Sequence, residues 1–136
     1  MSVAVDYAQP LLAVDQILDL SDQSIRTIKA IAGNEAFFVG HYPHFPIFPG
    51  AFVLEAVHQT TRLFVSEGLK LSLHARLIQI HSVRLLSPLR PGDVLQVDAR
   101  CTREATGELI VDSKVWRRDT PPVAVAQIKL RYVLES

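Results

Sequence analysis

One cysteine, Cys101, is all the chain has, so no disulfide can form within it. It sits in the strand-like run VLQVDARCT and reads as a small core residue rather than a reactive thiol. Such sparing use of sulfur fits a reducing compartment. Long apolar runs are missing too: nothing approaches the roughly 18 apolar residues of a membrane span. The N-terminal MSVAVDYAQP has neither the basic start nor the apolar stretch of a signal peptide, so a cytoplasmic protein is expected. Neither sign of charge is in excess. Fourteen basic residues balance fourteen acidic ones, and nothing in the total calls for nucleic acid or a membrane surface as partner. Repeats, low-complexity segments and linkers are absent. At 136 residues there is enough chain for one core but not for two, so residues 1–136 are expected to form a single domain.

What the sequence does have is a concentration of proline in one place. Residues 40–50, GHYPHFPIFPG, hold three of the eight prolines, two histidines and two glycines. Pro43, Pro46 and Pro49 each fix φ and stiffen this loop. A run from about Ala51 to Glu67 follows without Gly or Pro and predicts a helix, with Gly68 at the position just past its end. Before the loop, SIRTIKAIA reads as a strand, and LLAVDQILDL as strand or short helix. Beyond Leu73 the period becomes two. In DVLQVDARC, Leu95, Val97, Ala99 and Cys101 alternate with polar residues; in AVAQIKLRYVL, Ala126, Ile128, Leu130, Tyr132 and Leu134 do the same. RLIQIHSVRLL and GELIVDSKVW complete four strands, separated by turns at Pro88, Pro91-Gly92, Thr106-Gly107 and Pro121-Pro122. The fold class is therefore α+β: an antiparallel sheet with one long helix on its concave face.

That helix is apolar almost all round, which predicts burial against the sheet. Glu55, His58, Gln59 and Arg62 nevertheless stand at i, i+3, i+4 and i+7, a single polar stripe. Either the stripe faces solvent, or it lines a site. The loop favours a site. Gly50 opens the helix, where N–H groups and the helix dipole attract negative charge developing on oxygen. His41 on the stiff loop and Glu55 one turn into the helix complete an acid–base constellation. A metal site built from His41, His44, Glu55 and His58 is the competing reading. It is disfavoured because a single Glu-x-x-His copy and a proline-stiffened loop do not bring enough ligands together. His74, His81 and Trp116 read as surface, core or interface residues, and Tyr42 and Phe48 as groups that line or close a pocket.

The stretch NEAFFVGHYPHFPIFPGAFVLEAVHQ resembles the signature of the β-hydroxyacyl-acyl-carrier-protein dehydratases of dissociated fatty-acid synthesis. Asn34, Glu35, Phe37, Phe38, Gly40, His41, Pro43, Pro46, Pro49, Gly50, Glu55, Ala56 and Gln59 match the family pattern, and Tyr42 replaces its Phe. LLAVDQILDL and VRLLSPLRPGD extend the similarity on either side. The resemblance implies a hotdog fold, a curved antiparallel sheet wrapped around the helix, and a homodimer whose sheets join edge to edge, with a higher oligomer or heterodimer as variants. It implies that His41 of one subunit meets Glu55 of the other across an apolar tunnel. His41 would remove the α-proton of a 3-hydroxyacyl thioester, and Glu55 would protonate the departing hydroxide, a role that burial in an apolar tunnel favours. The Gly50 N–H would hold the thioester oxygen, Gln59 would steady Glu55, and the Ile47 carbonyl would orient His41. The implied partner is an acyl carrier protein, and no cofactor or metal is required.

The departures from the pattern are as informative. His44 stands where housekeeping members have Gly, and His58 where they have a small or apolar residue. A protonated His58 would favour ionised Glu55 and weaken its acid role; a neutral one would not. DYAQPLL replaces the usual His-Arg-x-Pro stretch, and no gating tyrosine occurs in HARLIQIHS. These changes favour a specialised pathway, polyketide or polyene assembly, over bulk fatty-acid synthesis. Arg76, Arg84, Arg90, Arg117, Arg118 and Arg131 are candidates for meeting an acidic carrier. A non-catalytic acyl-binding subunit or heterodimer partner is the alternative, and a thioesterase of the same fold a third reading.

Overall fold

The computed structural model describes residues 12–31, 50–69 and 72–135. Six strands form one antiparallel sheet: β1 (Gln16–Leu20), β2 (Ser24–Ala30), β3 (His74–Leu85), β4 (Val94–Arg103), β5 (Glu108–Arg117) and β6 (Val123–Glu135). Their spatial order is β1-β2-β4-β5-β6-β3. Helix α1 (Gly50–Leu63) packs on one face, and this is the hotdog arrangement. β1 takes the strand alternative left open for LLAVDQILDL. The turns fall where expected, and Gly92 and Gly107 occupy them with φ of 94° and 90°, a region that costs other residues dearly.

Period two along the late strands translates directly into burial. Leu95, Val97, Ala99 and Cys101 on β4, and Ala126, Ile128, Leu130 and Tyr132 on β6, are all buried. They meet in rows across the sheet: Val97 lies opposite Thr27 and Val115, and Val111 opposite Cys101 and Leu130. Phe52, Val53, Ala56 and Val57 of α1 fill the concavity over these rows. Each valine, leucine, isoleucine or phenylalanine among them contributes about 1.5–3 kcal/mol when fully buried. Two buried threonines tie helix to sheet, since Thr60 Oγ1 lies 2.8 Å from Thr27 Oγ1. Cys101 is core, as expected, and burial pushes its thiol pKa up to about 12.

The helix end differs from expectation. α1 does not run regularly to Glu67 and stop at a left-handed Gly68. It widens into a π-helical turn, Phe64–Gly68, and the Leu69 N–H donates to the Phe64 carbonyl at 3.1 Å. The wider turn lets Phe64 and Val65 both reach the core, where each is buried.

Strand β3 departs from simple alternation. Its register against β6 shifts twice, between Leu77 and Gln79 and between Ile80 and Ser82. The first shift brings Ile80 onto the helix-facing side and the second restores the alternation, so Leu77, Ile80, Val83 and Leu85 lie opposite Tyr132, Leu130, Ile128 and Ala126. Although they share a row with core residues, Ile80, Val83 and Leu85 are 48%, 41% and 58% exposed. β3 is an edge strand among the described residues, and Leu85 at its end meets the start of α1 at Gly50.

Candidate active site

Helix α1 carries the polar stripe along the wall of a cavity of about 1000 Å³. Glu55, His58, Gln59 and Arg62 line it from the helix, and Leu73 to Leu77 close the opposite side. The stripe thus faces the cavity, with Glu55, His58 and Gln59 half-buried and Arg62 exposed. Apolar walls from Leu12, Val14, Leu54 and Leu63 make the rest of the surface suited to an acyl chain.

Gln59 organises Glu55. Its Oε1 accepts the backbone N–H of Ala13 at 2.8 Å, and a backbone N–H can only donate. The amide is thereby oriented, and Nε2 donates to Glu55 Oε2 at 2.8 Å. A proton carried by Glu55 then belongs on Oε1, since Oε2 is already accepting. Among the described residues one carboxyl oxygen is thus anchored, on a side chain that lines the cavity.

His58 lies one turn on. Its Nδ1 is 2.8 Å from the Tyr132 hydroxyl, and the two rings are nearly parallel, 7° apart with centroids at 5.7 Å. Burial pushes the imidazole pKa down, and Arg62 adds to the effect, while Glu55 opposes it. The neutral form is favoured, so the one departure that threatened the acid role of Glu55 does not carry the charge that would do so. Tyr132 is fully buried, and burial raises its pKa to about 12, so its hydroxyl stays protonated. The sequence reading missed this pair. The signal was present: Tyr132 occupies an inward position of β6, and a buried phenol needs polar partners, which His58 of the helix stripe and Thr61 on the same helix supply.

Gly50 begins α1, as expected. A Cβ placed on it would come within 2.7 Å of Leu85 Cδ1, so the glycine permits close approach of the helix start to the end of β3. The first N–H groups of any helix lack internal partners and are free to hold an oxygen atom. His41, Tyr42, Ile47 and Phe48, together with His44, lie outside the described residues. Among the described residues no group of three or more His, Cys, Asp or Glu side chains could hold a metal ion. A second hollow, about 490 Å³ on the other face of the sheet, is lined with charges such as Arg26, Asp98, Asp112 and Lys129. Those charges are engaged in cross-strand pairs, Arg26–Asp98 at 2.7 Å and Lys129–Asp112 at 4.0 Å.

Comparison with known proteins decides the family. The model of the FabA-like domain matches residues 7–126. The chain belongs to the FabA-like family. Over 103 residues it is 37% identical to the 3-hydroxyacyl-[acyl-carrier-protein] dehydratase FabZ of Caulobacter sp. (strain K31), covering 73% of this chain and 63% of that one. It is 40% identical over 106 residues to the protein of the same name from Janthinobacterium sp. (strain Marseille), covering 74% and 68%. The matches thus span about two thirds of the length of these relatives. Among solved structures, this FabA-like chain superposes with a TM-score of 0.71 on a hypothetical thioesterase with coenzyme A from Streptococcus pneumoniae TIGR4. That match covers 89% of this chain and 85% of the other at 15% identity, a likeness of fold alone. No helix among the described residues of the FabA-like chain is long and apolar enough to cross a membrane.

Proposed function

We propose that the protein dehydrates 3-hydroxyacyl thioesters of an acyl carrier protein to trans-2-enoyl thioesters, as a single domain acting in the cytoplasm. The observation that carries this reading is Glu55, held by Gln59 on the wall of an acyl-sized cavity in a chain of the FabA-like family. Elimination of water needs a base for the α-proton and an acid for the departing hydroxide. Glu55 supplies the acid from the oxygen that Gln59 leaves free. His41, oriented by the Ile47 carbonyl, supplies the base. The Gly50 N–H at the helix start takes the negative charge that develops on the thioester oxygen. Tyr42 and Phe48 close the loop side of the cavity, and His58 lines its helix side. The reaction consumes no cofactor.

His41 of one protomer serves Glu55 of its partner in this reading, and the edge strand supports a dimer. β3 leaves one row of backbone donors and acceptors without a neighbouring strand among the described residues, beside exposed Ile80, Val83 and Leu85. A second copy of β3 joining antiparallel satisfies the backbone and covers the apolar row at once. The candidate arginines divide clearly. Arg76 is paired with Glu135, Arg117 with Asp119 and Arg131 with Glu108. Arg84, Arg90 and Arg118 have no ion-pair partner among the described residues, and they lie on β3 or at the end of the sheet where α1 begins. They are the surface we assign to the acidic carrier. The polar stripe in the cavity supports a specialised acyl chain, as in polyketide assembly, over a plain alkyl one.

The test is mass spectrometry of purified protein with 3-hydroxyacyl carrier substrates of several chain lengths. Loss of one water is expected. Release of a free carrier thiol instead would make the protein a thioesterase, and inertness toward every substrate until a second subunit is added would make it a partner subunit.

A further inference from the structure

The helix wall of the cavity holds an imidazole that the elimination does not use, and the hydrogen bonds behind it settle where its proton lies. Thr61 Oγ1 is 2.9 Å from the Val57 carbonyl oxygen, which can only accept, so the threonine hydroxyl donates there. The Tyr132 hydroxyl also bonds the Thr61 side chain, whose one hydrogen is already used, so the phenol donates to Thr61. The phenol oxygen, 2.8 Å from His58 Nδ1, is left to accept, and the single ring proton of the neutral imidazole sits on Nδ1. The reverse order, with the phenol donating to the imidazole, would set the Thr61 and Val57 oxygens against each other with no hydrogen between them. Thr61 and Tyr132 are fully buried, out of reach of bulk solvent. Nε2 is therefore a bare acceptor. It has no partner among the described residues, and none of their buried side-chain nitrogens or oxygens goes unpaired, so Nε2 keeps surface open to the cavity that His58 lines. The residue stands three positions after Glu55, about 4.5 Å farther along the helix axis and away from Gly50. A chain whose thioester lies at Gly50 and whose C3 hydroxyl meets Glu55 passes His58 with its next few carbons.

We propose that His58 is a specificity-determining residue whose unprotonated Nε2 accepts a hydrogen bond from a second hydroxyl, borne on the acyl chain beyond the reacting carbons. The site therefore favours 3-hydroxyacyl thioesters that carry a further hydroxyl over plain alkyl ones. This rests on the dehydratase reading above and adds the substrate chemistry. Only a donor satisfies Nε2; a carbonyl or ether oxygen meets it lone pair to lone pair. Arg62, one turn on along the same wall, disfavours a cationic donor, which leaves a neutral one. A chain extended by two-carbon units after an earlier reduction carries such a hydroxyl at C5 or C7. The bare alkyl chain displaces water from Nε2 and offers no hydrogen in return.

The experiment uses the carrier-bound 3-hydroxynonanoyl thioester, its derivatives with a second hydroxyl at C5 or at C7, and the methyl ethers of those second hydroxyls. In the protein as it stands and in His58→Phe, the ratio of kcat/KM for each derivative over the plain chain is measured. We expect the ratio for at least one of the two hydroxyl derivatives to fall roughly three- to tenfold in the variant, mostly through KM. The matching methyl ether, which accepts but cannot donate, should show no such fall, and an equal fall overturns the assignment. If His58→Phe does not fold, the double change His58→Phe, Tyr132→Phe removes both hydrogen-bonding partners together and takes its place. Unchanged ratios for both hydroxyl derivatives also overturn the assignment while leaving the dehydratase reading standing; no water loss from any substrate defeats both. Nitrogen-15 NMR of the imidazoles in the free protein gives an independent readout. The His58 signal, identified by its loss in the variant, must show the proton on Nδ1, and a proton on Nε2 overturns the proposal.

Discussion

Gln59 grips Glu55 by its amide nitrogen because the backbone of Ala13 has taken its oxygen, each contact at 2.8 Å. The interaction fixes which carboxyl oxygen Gln59 holds, on the wall of the cavity. Replacing Gln59 with Leu should lower kcat about ten- to a hundredfold and change KM far less, since a hydrogen bond to a charged or charging group is worth about 1.5–3 kcal/mol. Steady-state kinetics check this. Equal losses in KM and none in kcat would show that Gln59 serves only to bind.

Glu55→Gln and His41→Ala should each remove activity by about a hundredfold or more. If the two groups come from opposite protomers, mixing the inactive variants after unfolding and joint refolding regenerates one intact site per mixed dimer. About a quarter of full activity should return, by chance pairing of two equal populations. Mixtures that stay dead would place both groups within one protomer.

The exposed row on β3 predicts the assembly. Ile80→Lys together with Val83→Lys puts two charges where the second copy would pack, and the protein should then sediment at its monomer mass of 15.1 kDa. Activity should be lost with the dimer. Analytical ultracentrifugation distinguishes the outcomes.

His58 predicts a pH dependence of stability. Its folded-state pKa lies below the ordinary 6.5, chiefly through burial, so the unfolded chain takes up the proton first as pH falls. The contribution is complete above 6.5 and is lost progressively as pH drops through that value toward the folded-state one. Thermal melts at pH 7.5 and pH 5 should show a smaller drop for His58→Gln than for the parent chain. Equal drops would mean the imidazole is as easily protonated in the fold as outside it.

Cys101, with its thiol raised to about 12 by burial, should resist thiol reagents in the folded protein and react at once in denaturant. A colorimetric thiol assay with and without urea measures the difference.

Much of this protein was legible in order along the chain. Period two places Leu95 to Cys101 and Ala126 to Tyr132 on one face because successive strand side chains alternate, whatever the rest of the molecule does. The α1 stripe of Glu55, His58, Gln59 and Arg62 follows equally from helical spacing. Glycines at 92 and 107 mark turns because only their backbone takes those φ values cheaply. Local geometry of this kind is a property of neighbours in sequence, so the residues alone determine it. Three features needed the folded molecule. The stripe could face water or a cavity until the start of β3 was seen across from it. The two bulges in β3 arise from its pairing with β6 and bring Ile80, rather than Gln79 or His81, onto the helix-facing side, which no count along the strand shows. The partners of Gln59 and His58, Ala13 and Tyr132, lie 46 and 74 residues away. Each fills a hydrogen-bonding need that the sequence announces. Which group fills it depends on how the chain closes over its core, and that is decided only when distant strands and the helix pack together.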